Sequence, residues 1–113
     1  MSDDEEIEVL GLLDDDVARE ILIQTSNRPM SADALSTHCN VSPPTIYRRI
    51  NQLHEYELLE EQQQIDTDGH HYKTYVACLE RISVELKDGG MTVEIRRVEE
   101  NVADRFTRLF EEL

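Results

Sequence analysis

The run Ser42-Pro43-Pro44-Thr45-Ile46-Tyr47-Arg48-Arg49-Ile50-Asn51-Gln52-Leu53-His54 has the marks of a helix with a built start. Ser42 is placed to cap free backbone N–H groups, and Pro43 at the first helical position loses no hydrogen bond there. Ile46, Ile50 and Leu53 recur at i, i+4 and i+7, one apolar stripe that faces a core. The opposite face carries Pro44, Thr45, Tyr47, Arg48, Asn51 and Gln52, with Arg49 near the boundary. Those polar and charged side chains are the hydrogen-bonding types that reach base edges and phosphates from a helix in a major groove. No carboxylate occurs between Ser42 and His54, in a chain whose formal net charge is −14.

The preceding segment completes a helix-turn-helix. Ser31 reads as the N-cap of a short helix over Ala32 to His38, with Leu35 and Cys39 four apart on the side that meets Ile46 and Ile50. Asn40 falls where the chain must turn sharply, and asparagine tolerates the left-handed conformation. Val41 plugs the corner between the two helices.

Leu35-Ser36-Thr37-His38-Cys39-Asn40-Val41-Ser42, followed by Thr45-Ile46 and Arg49-Ile50, resembles the winged helix-turn-helix of ArsR-type prokaryotic regulators. Leu53 and the downstream Leu58-Leu59 match the point where such domains leave the recognition helix for the wing. The resemblance spans roughly Asp14 to Leu79. It implies an α+β fold and a DNA-binding function with no catalysis. Glu57 departs from the pattern, since a glycine commonly ends the helix there, so no standard glycine cap is assumed. Metal sensors of this type often carry a Cys-x-Cys in the helix-turn-helix. This chain has none, and His38-Cys39 and His70-His71 are adjacent pairs whose side chains diverge. No metal and no cofactor is expected.

Upstream, residues 1–13 read as an acidic tail whose Ile7, Val9, Leu10, Leu12 and Leu13 are apolar enough to pack in part on the domain or a partner subunit. Asp14, Asp15 and Asp16 suit the cap and first turn of a helix running to about Thr25, with Val17, Ala18, Ile21, Leu22 and Thr25 on one face. Ser26-Asn27-Arg28-Pro29 is a turn. Downstream, Leu58 to Ile65 and Tyr72 to Leu79 suit two strands joined at Asp66-Thr67-Asp68-Gly69, the wing. Its His70, His71 and Lys73 have two uses open to them, contact with flanking backbone or minor groove, or a plain exposed tip.

A second hairpin lies beyond the minimal winged helix. Asp88-Gly89 is a two-residue hairpin signal that sets Leu86 opposite Met91, Val84 opposite Val93 and Ile82 opposite Ile95. The six then share one face, and a one-residue slip destroys the match. Asn101 next caps a helix whose Val102, Phe106, Leu109, Phe110 and Leu113 form a stripe at helical spacing. That stripe packs on its own domain or pairs across a dimer axis. The dimer is the expectation, because helix-turn-helix proteins usually read two half-sites. The domain layout expected is thus a tail over 1–13, a winged helix-turn-helix over 14–79, and a hairpin plus terminal helix over 80–113 as the dimerisation element.

At 113 residues the chain is one domain. It holds no run of 18 apolar residues for a membrane span, and its acidic N-terminus lacks the features of a signal peptide. A cytoplasmic protein is expected, with Cys39 and Cys78 as small buried hydrophobes. Asp and Glu number 25 against 11 basic residues, of which only Lys73 and Lys87 are lysine. Such an acid-rich, lysine-poor balance is what cytoplasmic proteins of extreme halophiles show, where high salt screens self-repulsion. It also suits a protein that avoids nucleic acid. The distribution decides between the two. Residues 1–16 hold eight acids and no base, whereas Asn27 to His54 has Asp33 alone against Arg28, Arg48 and Arg49. The expected DNA face is therefore Arg28, Ser31, Ser42, Pro44, Thr45, Tyr47, Arg48, Arg49, Asn51 and Gln52, with the wing residues beside it. The expected function is sequence-specific transcriptional regulation in a halophilic archaeon, with counter-cations such as potassium at the interface. No glycine-rich phosphate loop, nucleophile elbow or His-Glu-x-x-His supports an enzyme. A winged-helix protein-interaction module without DNA binding is the rival.

Overall fold

A computed structural model describes residues 3–98. Four helices precede four strands: α1 (Asp3–Leu13), α2 (Asp16–Asn27), α3 (Ala32–Cys39), α4 (Pro43–Glu55), β1 (Leu59–Ile65), β2 (His71–Ala77), β3 (Leu79–Lys87) and β4 (Gly90–Arg97). The fold is α+β, a winged helix-turn-helix (α2–α4 with the β1–β2 wing) extended by a second hairpin. The expected terminal helix, with Asn101, Val102, Phe106, Leu109, Phe110 and Leu113, lies outside the described residues.

The helix boundaries follow local chemistry. Asp15 caps α2 by accepting from the Ala18 N–H at 2.8 Å, and Ser31 caps α3 through Ala34 N–H at 3.1 Å. Asn40 closes α3 in the left-handed region (φ 55°), and Val41 N–H reaches back to Ser36 O at 3.2 Å. Ser42 behaves differently from its expected role. Its hydroxyl makes no cap bond to the backbone; it pairs with Thr45 Oγ1 at 3.1 Å. The N–H that a cap at Ser42 would meet is that of Thr45, the counterpart of Ala18 and Ala34, and the hydroxyl takes the Thr45 side chain instead.

The end of α4 carries a full terminating motif without glycine. Leu58 N–H bonds Leu53 O at 2.9 Å and Glu57 N–H bonds His54 O at 3.0 Å, with Leu53 and Leu58 both buried. The residue in the left-handed position is Glu57, at φ 59°. A glutamate there carries the Cβ penalty that a glycine escapes.

In the wing, β1 and β2 pair antiparallel from Leu59↔Ala77 to Ile65↔His71. A single bridge between Met30 and Tyr75 adds the chain just before α3 to this ribbon, with bonds of 3.2 and 2.8 Å. That bridge fixes the start of the helix-turn-helix to the wing. β3 and β4 form a separate hairpin whose register is the one that Asp88-Gly89 dictates: Leu86↔Met91, Val84↔Val93 and Ile82↔Ile95. Asp88 and Gly89 both have positive φ, 55° and 77°, as a two-residue turn matched to strand twist requires.

The opening segment is a helix, where acidity suggests a tail. Its carboxylates crowd toward the positive end of the helix dipole, and Val9, Leu12 and Leu13 recur at i, i+3 and i+4 against the core. Val9 is fully buried. Tyr56 donates its phenol to Glu8, and Arg97 lies 4.0 Å from Glu5 while donating to Tyr56 O at 2.6 Å. These contacts tie α1 to the end of α4 and the base of β4. The core runs through Ala18, Ile21, Leu22, Leu35, Ile46, Ile50, Leu53 and Leu58, with Val41 packed partly against it at the corner between α3 and α4. Cys39 and Cys78 are half-buried, less covered than their apolar neighbours suggest.

Replacing Glu57 with Gly should raise stability by about 0.5–1 kcal/mol, because it removes a left-handed Cβ at a modest entropic cost. Thermal melts followed by circular dichroism should show a midpoint a few degrees higher, whereas an unchanged or lower midpoint would contradict the strain.

Candidate nucleic-acid interface

Ile46, Ile50 and Leu53 are at most 2% exposed, and they fix the rotation of α4 about its axis. The face opposite them carries Pro44, Arg48 and Asn51, all exposed. Tyr47, 47% exposed, and His54 flank it on one side. Thr45, Arg49 and Gln52 flank it on the other and are half-buried. Arg48 has no ion-pair partner among the described residues, so its guanidinium is available in full. The same outward face ends at Glu55, the first carboxylate after the acid-free run.

Arg49 is committed to the protein itself. Its Nε donates to Asp15 Oδ2 at 2.9 Å, joining α4 to the cap of α2. The Arg49 hydrogen bond is the main reason the Asp15 carboxyl is held below the usual carboxylate range; partial burial opposes it and the Ala18 N–H assists. Gln52 likewise turns inward. Its Oε1 is buried without a hydrogen-bond partner, and its side chain lines an open cleft of about 510 Å³ between α1 and α4 with Glu8, Leu12, Asp15 and Arg49. The structure thus divides the polar residues of this helix. Arg48 and Asn51 face out, while Arg49 and Gln52 face the neighbouring helices.

Three residues from separate elements converge beside the outward face. Ser31 at the start of α3, Tyr47 of α4 and Lys73 of β2 line one cleft of about 400 Å³ with Asp33, Tyr72 and Tyr75. The Met30–Tyr75 bridge places them there. Lys73 also stands 3.7 Å from Glu61, and Asp33 adds a carboxylate at the rim. A cleft with one ammonium, hydroxyls and a helix N-terminus suits a phosphate oxygen. Tyr72 and Tyr75 escape the sequence reading because strand alternation alone does not say which side meets α3. Arg28 is exposed after α2, and Ser42 is exposed at the start of α4.

At the wing tip, Asp66 Oδ1 accepts from the N–H groups of Asp68 and His70, both at 2.9 Å. His70 Nδ1 lies 3.5 Å from Asp66 Oδ2, and His71 opens β2 on the exposed side. Asp66, Asp68 and His70 place ligand atoms within 4.8 Å of one another, the grouping among the described residues best able to offer three donors to a cation. All three are exposed, and the turn itself accounts for the Asp66 carboxylate.

The fold and this surface define a winged helix-turn-helix. Residues 13–62 match the model of a family described as a helix-turn-helix domain, from the end of α1 into β1. The chain is therefore similar to a helix-turn-helix domain over 50 of its 113 residues. No curated protein matches it. Among the described residues, no helix is long and apolar enough to cross a membrane.

Asp15→Ala should cost about 1–2 kcal/mol, since it removes both a helix cap and the Arg49 pair. The pair is present above the unfolded carboxylate value, about 3.9, and is lost as the pH falls through the lower folded value. The stability gap between wild type and variant, read from urea melts, should therefore narrow as the pH drops from about 5 toward 3. A gap independent of pH would contradict the assigned partnership.

Proposed function

We propose that the chain is a sequence-specific DNA-binding transcriptional regulator, ArsR-like in type, acting as a homodimer in the high-salt cytoplasm of a halophilic archaeon. The observation that supports it is the outward face of α4. Arg48 and Asn51 stand exposed and unencumbered by carboxylates until Glu55, in a chain with 25 acidic residues. In this reading α4 docks in a major groove, with Arg48 and Asn51 at base edges and Tyr47, Thr45, Pro44 and Ser42 along the groove wall. Ser31, Lys73 and Arg28 take phosphates, and His70 and His71 lie toward the flanking backbone or minor groove. Arg49 ties α4 to the cap of α2, so its part in recognition is to set the helix angle, while Gln52 faces the cleft toward α1. Val102, Phe106, Leu109, Phe110 and Leu113 form the dimer contact in this proposal.

The acidity makes the salt dependence distinctive. A basic binder releases counter-ions and loses affinity with a log–log slope of about −0.9 per phosphate contacted. Here carboxylates beside the duplex take up cations such as potassium on binding, which offsets that release. Binding titrations across KCl concentrations should give a much flatter slope or a reversed one, and a steep negative slope would defeat the cation-uptake reading. Arg48→Ala should cost about 1–3 kcal/mol of DNA binding with the fold intact. Arg49→Ala should act mainly on stability. Equal DNA binding by wild type and Arg48→Ala would contradict the assigned role.

A further inference from the structure

Tyr75 of β2 is 5% exposed, with its ring in the domain core and its backbone bridged to Met30. A buried phenol usually finds a hydrogen-bond partner. Among the described residues, none engages the Tyr75 hydroxyl. The one side-chain polar atom of those residues that is sealed from solvent without a partner is Gln52 Oε1, so the Tyr75 hydroxyl still has access to solvent. Tyr75 lines the cleft of about 400 Å³ in front of α3. A polar group is thus fixed by the core, left unpaired, and open to a cavity beside the outward face of α4.

The groups around it are mostly donors. Ser31 Oγ accepts from Ala34 N–H, which leaves the hydroxyl hydrogen free to give, and the Asp33 N–H in the first turn of α3 has no helical partner. Tyr47 brings a second phenol from α4, and Lys73 brings an ammonium from β2. Burial, helped by nearby Glu61 and Tyr47, holds the Tyr75 phenol above its usual value, so it keeps its proton at neutral pH. Charge then sorts the oxyanions that fit. Asp33 and Glu61 set two carboxylates against the single charge of Lys73, a balance that penalises a doubly charged free phosphate more than a singly charged phosphodiester.

We propose that Tyr75 is a phosphate-binding residue, its buried phenol donating to one phosphodiester oxygen of the DNA backbone that enters this cleft when α4 docks. The proposal rests on the DNA-binding reading above and adds a contact to it. In 1 M salt, attraction between charges is screened within about 3 Å. A neutral O–H donor neutralises no phosphate, so its contact releases no counter-ion. Because packing already holds the ring, the contact also costs little side-chain freedom. In a chain whose lysines are Lys73 and Lys87 alone, such a phenol does what lysine does in a basic binder.

Tyr75→Phe in the full chain keeps the ring in the core and removes the hydroxyl alone. Its melting midpoint should match that of the wild type, and a lowered midpoint, the mark of a hydroxyl bonded within the fold, overturns the proposal. Its affinity for duplex DNA in molar KCl should fall about tenfold or more. The same factor should appear for the site that the wild type selects and for unrelated duplexes, because a backbone contact carries no sequence information. The dependence on KCl should stay as it was. In duplexes with one phosphate at a time replaced by a neutral methylphosphonate, the wild type should lose affinity at a position where Tyr75→Phe loses less. Equal affinity of the two proteins overturns the proposal and leaves the DNA reading standing, as does a loss confined to one base position of the site. Inorganic phosphate that raises the melting midpoint of the wild type but not of Tyr75→Phe, with duplex binding unchanged, overturns it in favour of a small-anion site. A wild type that binds no duplex removes the DNA reading and this contact together.

Discussion

Burial of Ile46, Ile50 and Leu53 is the constraint on which the other features depend. Each contributes about 1.5–3 kcal/mol by leaving water, and together they leave α4 one rotational setting. With the stripe inward, residues two positions along the helix point out, which is why Arg48 is exposed while its neighbour Arg49 is not. Turning the helix by one residue would bury a guanidinium and expose an isoleucine. The surface chemistry is therefore set by the core, and neither can be altered alone.

Two further contacts hold that surface in register with its surroundings. The Asp15–Arg49 pair joins the start of α2 to the middle of α4 and adds a charged partner to an ordinary helix cap. The Met30–Tyr75 bridge holds the start of α3 against the wing, bringing Ser31, Tyr47 and Lys73 to one cleft. Both act between elements, and neither relies on the wing tip, whose Asp66 is spent on its own turn. The acid-rich α1 adds a brace through Glu8 and Tyr56, so part of the negative charge is structural.

Local rules carried most of the architecture. Ser31 as a cap, Asn40 as a left-handed turn and the Asp88-Gly89 register all follow from side-chain and backbone preferences within a few residues. The reading failed where the decisive partner is distant or the signal is masked. Arg49 finds Asp15 across 34 positions, and periodicity places Arg49 only near a boundary. The apolar spacing of Val9, Leu12 and Leu13 is short and lies among carboxylates, so α1 read as a tail. Ser42 has the type and place of a cap, but its hydroxyl pairs with the Thr45 side chain. Glu57 shows that backbone closure can impose a glycine geometry on another residue.

The most direct measurement is selection of bound sequences from a random duplex pool by the full chain in molar KCl. The account predicts enrichment of a two-fold-symmetric motif, its half-sites about 10 base pairs apart, with the strongest preferences at major-groove positions. A pool that emerges without any enriched sequence would contradict the claim that the outward face of α4 reads DNA.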